Sequence, residues 1–457
     1  MLCQFRKDKL LLDLVPDYPI PRYTSYPTAP NFNNNIDGKK YNLWLKKIKS
    51  SEKISLYVHI PFCDSLCYFC GCHTTATKKY DPIERYVNFL IKEICLLSSK
   101  IKFKPLVSHI HFGGGTPSIL KPKDLRTIMN IIKKKFKILE KCEIAMEVDP
   151  RYFKYDLIKI LKKYNFNRIS IGIQDFSKTV QKNINRKQSF KSTKDLIESF
   201  RINGINKINI DLMYGLPYQS VSGFLSTLRK VVSLKPDCIS IFGYAHVPWM
   251  KKRQKLIKGR MLDNNERLQL YRIASNYLLN NKYISIGIDH YAKYNSSIIK
   301  KLKKKNITRN FQGYSEDDSK VLLGLGSSSI SSLPEGYVQN ITNTPEYFES
   351  LKRNKIPIFR GYEFKNKDKM YGTIIRNLMC YLTVDLHEMN EKFNEKNEQN
   401  FLFKELLRIK PFIDKGLVAF KNDKLTIDPD ARPLARTISS SFDQYFKANK
   451  TKYSLGI

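Results

Sequence analysis

Six short runs rich in β-branched and apolar residues, each followed by a turn and a longer amphipathic stretch, set what this chain can fold into. They are Ser55 to Ile60, Val107 to Phe112, Glu143 to Val148, Arg168 to Ile173, Lys207 to Leu212 and Cys238 to Phe242. Successive runs begin 25 to 52 residues apart, which leaves room for a helix in every crossover. Parallel strands need such crossovers, so the pattern predicts an α/β fold with a parallel sheet or an incomplete barrel. A seventh run, Tyr283 to Ile288, follows a helical stretch from Asn265 to Leu279 and is expected beside the barrel.

In such folds ligands bind past the carboxyl ends of the strands. Polar or glycine-rich segments stand there: Gly113-Gly-Gly-Thr-Pro117, Glu147-Val-Asp-Pro150, Gln174-Asp-Phe176, Asp211 to Pro217 and Tyr244-Ala-His-Val-Pro248. Singly, each has a plain structural use, the glycines as a tight turn and a lone Glu as a helix cap or solvated side chain. Together they would converge on one barrel mouth.

Four of nine cysteines, Cys63, Cys67, Cys70 and Cys72, fall in the loop after the first run. Nine cysteines in 457 residues is sparse, and an odd count leaves one unpaired, so a disulfide framework is not expected. Structural zinc favours two knuckles a dozen or more residues apart, and no second knuckle follows. Cys63-x-x-x-Cys67-x-x-Cys70 offers three thiolates from one loop, and a cubane [4Fe-4S] cluster held by three leaves one iron open for an outside ligand.

The three-cysteine loop, Phe69 before its last cysteine and the strand Leu56-Tyr-Val-His-Ile-Pro-Phe62 resemble the radical S-adenosylmethionine enzymes. More narrowly, Cys67-Tyr-Phe-Cys-Gly-Cys72, Pro21-Arg-Tyr-Thr-Ser-Tyr-Pro-Thr28 and Arg309-Asn-Phe-Gln-Gly-Tyr314 resemble the oxygen-independent coproporphyrinogen III oxidases, and the likeness runs over nearly the whole chain. The resemblance implies a partial (β/α)6 radical-SAM barrel. It implies one [4Fe-4S] cluster on Cys63, Cys67 and Cys70, with Cys72 beside the site and not a ligand. It further implies two molecules of S-adenosylmethionine. The first would lie near Tyr57, Gly114, Glu147 and Ile330. The second would lie near Phe69, Gly115, Thr116, Gln174, Arg186, Asp211 and Ala245. Glu147 suits a ribose or ammonium contact, and Arg186 could pair with a carboxylate.

The implied activity is oxidative decarboxylation of two propionates of coproporphyrinogen III to vinyl groups, giving protoporphyrinogen IX, through a 5′-deoxyadenosyl radical. A reducing partner such as flavodoxin or ferredoxin, a monomeric state and a cytoplasmic location are expected with it. Two departures stand out: Leu455 occupies the place of a tail arginine, and Val321 that of a polar residue. A haem chaperone of the same superfamily is the nearest alternative.

Length suggests two to three domains, read as an N-terminal arm over 1–50, the barrel with its extension over 51–360 and a C-terminal part over 361–457. The last resembles a winged helix: helical patterns at Met370 to Cys380 and Asn400 to Leu407, strand-like Gly416 to Phe420 and Asp423 to Ile427, then a final helix. A formal charge of +38 suits a nucleic-acid partner. The basic residues are nevertheless spread in tracts such as Lys300 to Asn306, with Asp428 and Asp430 in the wing, so a solvated surface and a substrate-covering role are expected, with no nucleic acid. No apolar run reaches the roughly 18 residues of a membrane span.

Overall fold

All six runs form strands, and they lie side by side. The structure is a computed structural model describing residues 8–16, 18–365, 367–393 and 398–447, with main chain only for 398–403. The strands are β1 (Lys53–Ile60), β2 (Leu106–Gly114), β3 (Lys137–Val148), β4 (Arg168–Gln174), β5 (Lys207–Tyr214) and β6 (Cys238–Gly243), each parallel to the next. Crossover helices α1 (Asp81–Ser98), α2 (Pro122–Lys135), α3 (Leu157–Lys163), α4 (Phe190–Ile202) and α5 (Val221–Ser233) connect them. Their ends are written in the sequence. Helix α2 opens on Pro122 and Asp124 and closes on Lys133, Lys134 and Lys135, matching its dipole at both ends. Helix α1 buries Ile83, Tyr86, Val87, Leu90, Ile94 and Leu97, a stripe spaced by three and four residues. Each such aliphatic side chain contributes roughly 1.5–3 kcal/mol by leaving water.

The sheet extends beyond the expected six strands. The seventh run becomes a hairpin, β7 (Tyr283–Ile286) and β8 (His290–Lys293), which adds antiparallel to β6 after helix α6 (Asn264–Asn280). At the other edge β9 (Val321–Leu325) pairs parallel with β1, and β10 (Ile330–Leu333), β11 (Gly336–Asn340) and β12 (Ile358–Glu363) follow antiparallel. The order across the 12-stranded sheet is β12-β11-β10-β9-β1-β2-β3-β4-β5-β6-β8-β7. Val321, at the start of β9, is buried in the sheet, where an apolar residue is at home.

Helix α7 (Asp368–Tyr381) leads into a three-stranded antiparallel sheet of Thr383–Asp385, Lys424–Ile427 and Val418–Lys421, with helices Leu386–Phe393 and Glu398–Asp414 between its first strand and the rest. This region lies against the barrel's extension: Tyr314 donates to the Met379 carbonyl at 2.6 Å and Arg272 to that of Asp430 at 2.8 Å. The N-terminal stretch threads between the two, with Tyr23 donating to Asp443 at 3.2 Å and Arg436 to the Ile20 carbonyl at 2.9 Å. One apolar core runs from Leu11 through the barrel to Phe442. Among the described residues no helix is long and apolar enough to cross a membrane. The C-terminal Tyr453 to Ile457, including Leu455, lies outside the described residues.

Candidate active site at the mouth of the barrel

The cysteine loop leaves β1 and is fastened from three sides. Beneath it, the Gly115 amide donates to the Ile60 carbonyl and the Thr116 amide to that of Phe62, both at 2.8 Å. A Cβ on Gly115 would stand 2.5 Å from the Phe62 oxygen, so only glycine lets the strand end approach the loop this closely. From the β4 side, Asn185 donates to the Leu66 carbonyl at 2.9 Å and Tyr68 to that of Ile184 at 3.0 Å. From the β6 side, Gln254 donates to the carbonyls of Phe69 and Ala245 at 3.1 and 3.0 Å.

Each of the three thiols has different company. The Cys63 sulfur lies 3.1 Å from the Thr74 hydroxyl and 3.4 Å from that of Thr116, and burial pushes its pKa up against those hydroxyls. Cys70 accepts from the Cys72 amide at 3.4 Å, and hydrogen bonding from Cys72 holds its thiol down at about 6. Cys67 is buried, with guanidinium nitrogens of Arg151 and Arg186 each 3.3 Å from its sulfur. Asp149 anchors both guanidiniums, at 2.6 Å to Arg151 and 3.2 Å to Arg186. Burial alone would raise the Asp149 pKa, but the two arginines outweigh it and hold it below the ordinary range.

Among the described residues no three Cys, His, Asp or Glu side chains converge closely enough to share one ion. The three thiols instead surround a cavity of about 340 Å³. That arrangement suits a multi-iron cluster with one thiolate per iron, and not a single zinc.

The same cavity is lined by Phe69, Gly114, Gly115, Thr116, Glu147, Gln174, Arg186 and Asp211, so most of the residues expected from the sequence meet there. Glu147 is held by His111 Nε2 and the Gly114 amide, both at 3.2 Å. Gln174 takes a positive φ of 68°, and its buried Oε1 has no partner among the described residues. Asp211 accepts from Ser170 at 3.2 Å and Asn209 at 2.9 Å, and burial raises its pKa. Tyr57, Ala245 and Ile330 stand behind the lining. Tyr57 packs where a side chain on Gly113 would be and bonds His59 at 3.1 Å. Ala245 reaches the loop through Gln254, and the Ile330 main chain packs on Gly324. Arg186, expected to take a ligand carboxylate, has its donors on the Gly172 carbonyl, Cys67 and Asp149.

Sequence reading did not single out His111, Arg151, Phe242 or His290, which also line the cavity, and Tyr314, from the Arg309 to Tyr314 segment, joins them there. Arg151 was readable as a local partner two residues after Asp149. His111, Phe242 and His290 have no local signal, because the sheet brings them in from distant strands.

A sequence model of the Radical SAM superfamily matches residues 57–231. The chain is 38% identical over 439 residues to an oxygen-independent coproporphyrinogen III oxidase of Bradyrhizobium diazoefficiens, covering 96% of this chain and 97% of that one. It is 35% identical over 441 residues to the enzyme of that name from Helicobacter pylori, covering 95% and 96%. The solved coproporphyrinogen III oxidase of Escherichia coli, a radical SAM enzyme, superposes with a TM-score of 0.88 at 32% identity over 93% of this chain and 98% of its own. With likeness of that extent in sequence and in fold, the chain belongs to the oxygen-independent coproporphyrinogen III oxidases of the radical SAM superfamily.

Proposed function

We propose that this chain converts coproporphyrinogen III to protoporphyrinogen IX without oxygen, using one [4Fe-4S] cluster and S-adenosylmethionine. Each of two propionates loses a hydrogen atom, an electron and carbon dioxide and becomes a vinyl group. The observation that carries this reading is the meeting of three thiols from one loop with Glu147, Gln174 and Asp211 around one cavity. Bound there, the reduced cluster and S-adenosylmethionine supply a carbon-centred radical able to take the hydrogen.

In this reading Cys63, Cys67 and Cys70 hold three irons and leave the fourth open. Arg151 and Arg186 stabilise the Cys67 thiolate by donating to its sulfur. Glu147, steadied by His111, presents an oxygen to the ammonium or ribose hydroxyls of one S-adenosylmethionine, with Tyr57, Gly114 and Ile330 shaping its surroundings. A second molecule lies against Phe69, Gly115, Thr116, Gln174, Arg186, Asp211 and Ala245, where the unpartnered Gln174 oxygen is free to accept a hydrogen bond. The described residues of 361–457 cover the barrel of 51–360, and the described residues of the 1–50 arm lie between. The enzyme works as a cytoplasmic monomer supplied with electrons by a flavodoxin or ferredoxin.

The test is anaerobic reconstitution with iron and sulfide, followed by S-adenosylmethionine, a reductant and coproporphyrinogen III. Protoporphyrinogen and 5′-deoxyadenosine are the expected products. Haem binding without vinyl formation would replace this reading with that of a haem chaperone.

A further inference from the structure

Five strands along the sheet from β1, the cavity wall changes character. Phe242, His290 and Tyr314 line it there. Arg22, bonded to Gly243, and Arg309, against the Tyr314 ring, adjoin them, and Arg309 lines the neighbouring cavity with Tyr23 and Arg376. Solvent reaches Arg22, although it sits deep enough that desolvation lowers its pKa, and it donates to the Gly243 carbonyl at 3.1 Å. Arg309 lies on the hairpin Thr308–Asn310/Gly313–Ser315, its guanidinium carbon 4.6 Å from the centre of the Tyr314 ring. Its Nη2 donates to the Arg22 carbonyl at 3.5 Å, which ties the two arginines together.

These cations are short of partners. The carboxylate facing them is Asp289, whose Oδ1 is already 2.7 Å from His290 Nδ1, so the Arg309 contact to the same oxygen is a long 3.7 Å. Among the described residues, Nε and Nη1 of Arg309 are buried with no hydrogen-bond acceptor. Buried donors of a charged group are rarely left so, and each such case calls for a reason. Arg436 adds to the excess, since Arg22 and Arg309 both act to lower its pKa. A guanidinium presents a planar fork of donors that matches a carboxylate in two-point contact.

We propose that Arg22 and Arg309 form a clamp for one carboxylate of the substrate, beyond Phe242, His290 and Tyr314 and away from the cysteine loop. This rests on the reading of the substrate as a tetracarboxylate tetrapyrrole and assigns two residues to hold it. The anion completes the donor set of Arg309 and neutralises the wall when substrate enters.

The test is equilibrium binding of coproporphyrin III, with four carboxylates, and of its uncharged tetra-amide, followed by fluorescence quenching on the cluster-loaded protein. The wild type should favour the acid over the amide. Arg22→Gln and Arg309→Gln should each weaken the acid about 10- to 100-fold, the range for losing a charge-assisted hydrogen bond, and leave the amide unchanged. Arg309→Lys, which keeps the charge and loses the fork, should recover only part. Because the wall is overcharged without ligand, Arg22→Gln should melt at or above the wild-type temperature. A marked fall would make Arg22 structural and overturn its place in the clamp. Variants that bind the acid like the wild type, while the wild type still prefers acid to amide, would overturn the clamp and leave the functional reading standing. A wild type that binds neither compound would overturn both.

Discussion

Two sets of arginines, one lining the cavity of the cysteine loop and one beside it, are supplied with unequal negative charge. Around Cys67, Arg151 and Arg186 share Asp149 and a sulfur, and Arg186 also donates twice to the Gly172 carbonyl. The wall at Arg22 and Arg309 shares Asp289 with a histidine and with the field of Arg436. The consequence is visible in proton affinity: the Arg151 pKa is raised and the Arg436 pKa is pushed down to about 9. Burial opposes every one of these charges: it prevails at Arg22 and Arg436, and is outweighed by Asp149 at Arg151 and by Tyr314 and Asp289 at Arg309. A guanidinium whose donors are filled by the protein positions its neighbours, whereas one left short is available to a ligand.

The largest effect should come from removing what the first set serves. Cys67→Ser and Cys70→Ser are each expected to abolish the visible absorption of the reconstituted cluster and turnover with it. Cys72→Ser should keep the absorption, and loss of the cluster in that variant would mean the loop holds no open iron. Next comes the anchor itself. Asp149→Asn leaves Arg151 and Arg186, each less than a tenth exposed in the side chain, without their carboxylate. Breaking a buried ion pair from one side costs about 3–5 kcal/mol, to be read as a lower urea midpoint of the cluster-free protein. An unchanged midpoint would remove the structural half of the comparison.

How far each region can be read from sequence follows from the distance over which its contacts form. The six parallel strands were legible because each run and its helix are local. Strand β9 was not, since it pairs with β1 across more than 250 residues and carries only a short apolar run. The cysteine loop was legible from spacing within ten residues. Arg186 was in view, but its carboxylate partner, Asp149, lies on a neighbouring strand end. Arg22 and Arg309 stood inside two motif segments already quoted, yet nothing local says that both face Asp289. Loop fastening by Asn185 and Gln254 was equally hidden, because a side-chain amide gives no periodic signal.

A third arginine site sharpens the contrast. Arg168 lies 3.1 Å from Glu143, which Lys207 also approaches to 3.0 Å. Burial would raise the Glu143 pKa, but Arg168 and Lys207 outweigh it and hold it at about 2, against an ordinary 4.5. A depressed carboxylate contributes stability that is whole above pH 4.5 and is lost as pH falls toward 2. Glu143→Gln should therefore flatten this acid limb and lower stability near neutrality by on the order of 3 kcal/mol, read from urea midpoints between pH 2 and 7. A variant retaining the full acid slope would show that Glu143 is not held down by its neighbours.

The smallest effect should come from Asp289→Asn. It removes the carboxylate facing the underfilled set, as Asp149→Asn does for the filled one, but solvent reaches Arg22 and screens what is left. A loss of about 1–2 kcal/mol is expected, well below that of Asp149→Asn. The decisive difference is rescue. A small polycarboxylate such as citrate can enter the cavity that Arg309 lines and stand in for a missing carboxylate, so it should raise the melting temperature of Asp289→Asn more than that of the wild type. It should leave Asp149→Asn unmoved, because the guanidinium donors there stay on Cys67, the Asn185 carbonyl and the Gly172 carbonyl. Equal rescue of both variants would mean that the two arginine sets are equally open, and the division between positioning cations and binding cations would fail.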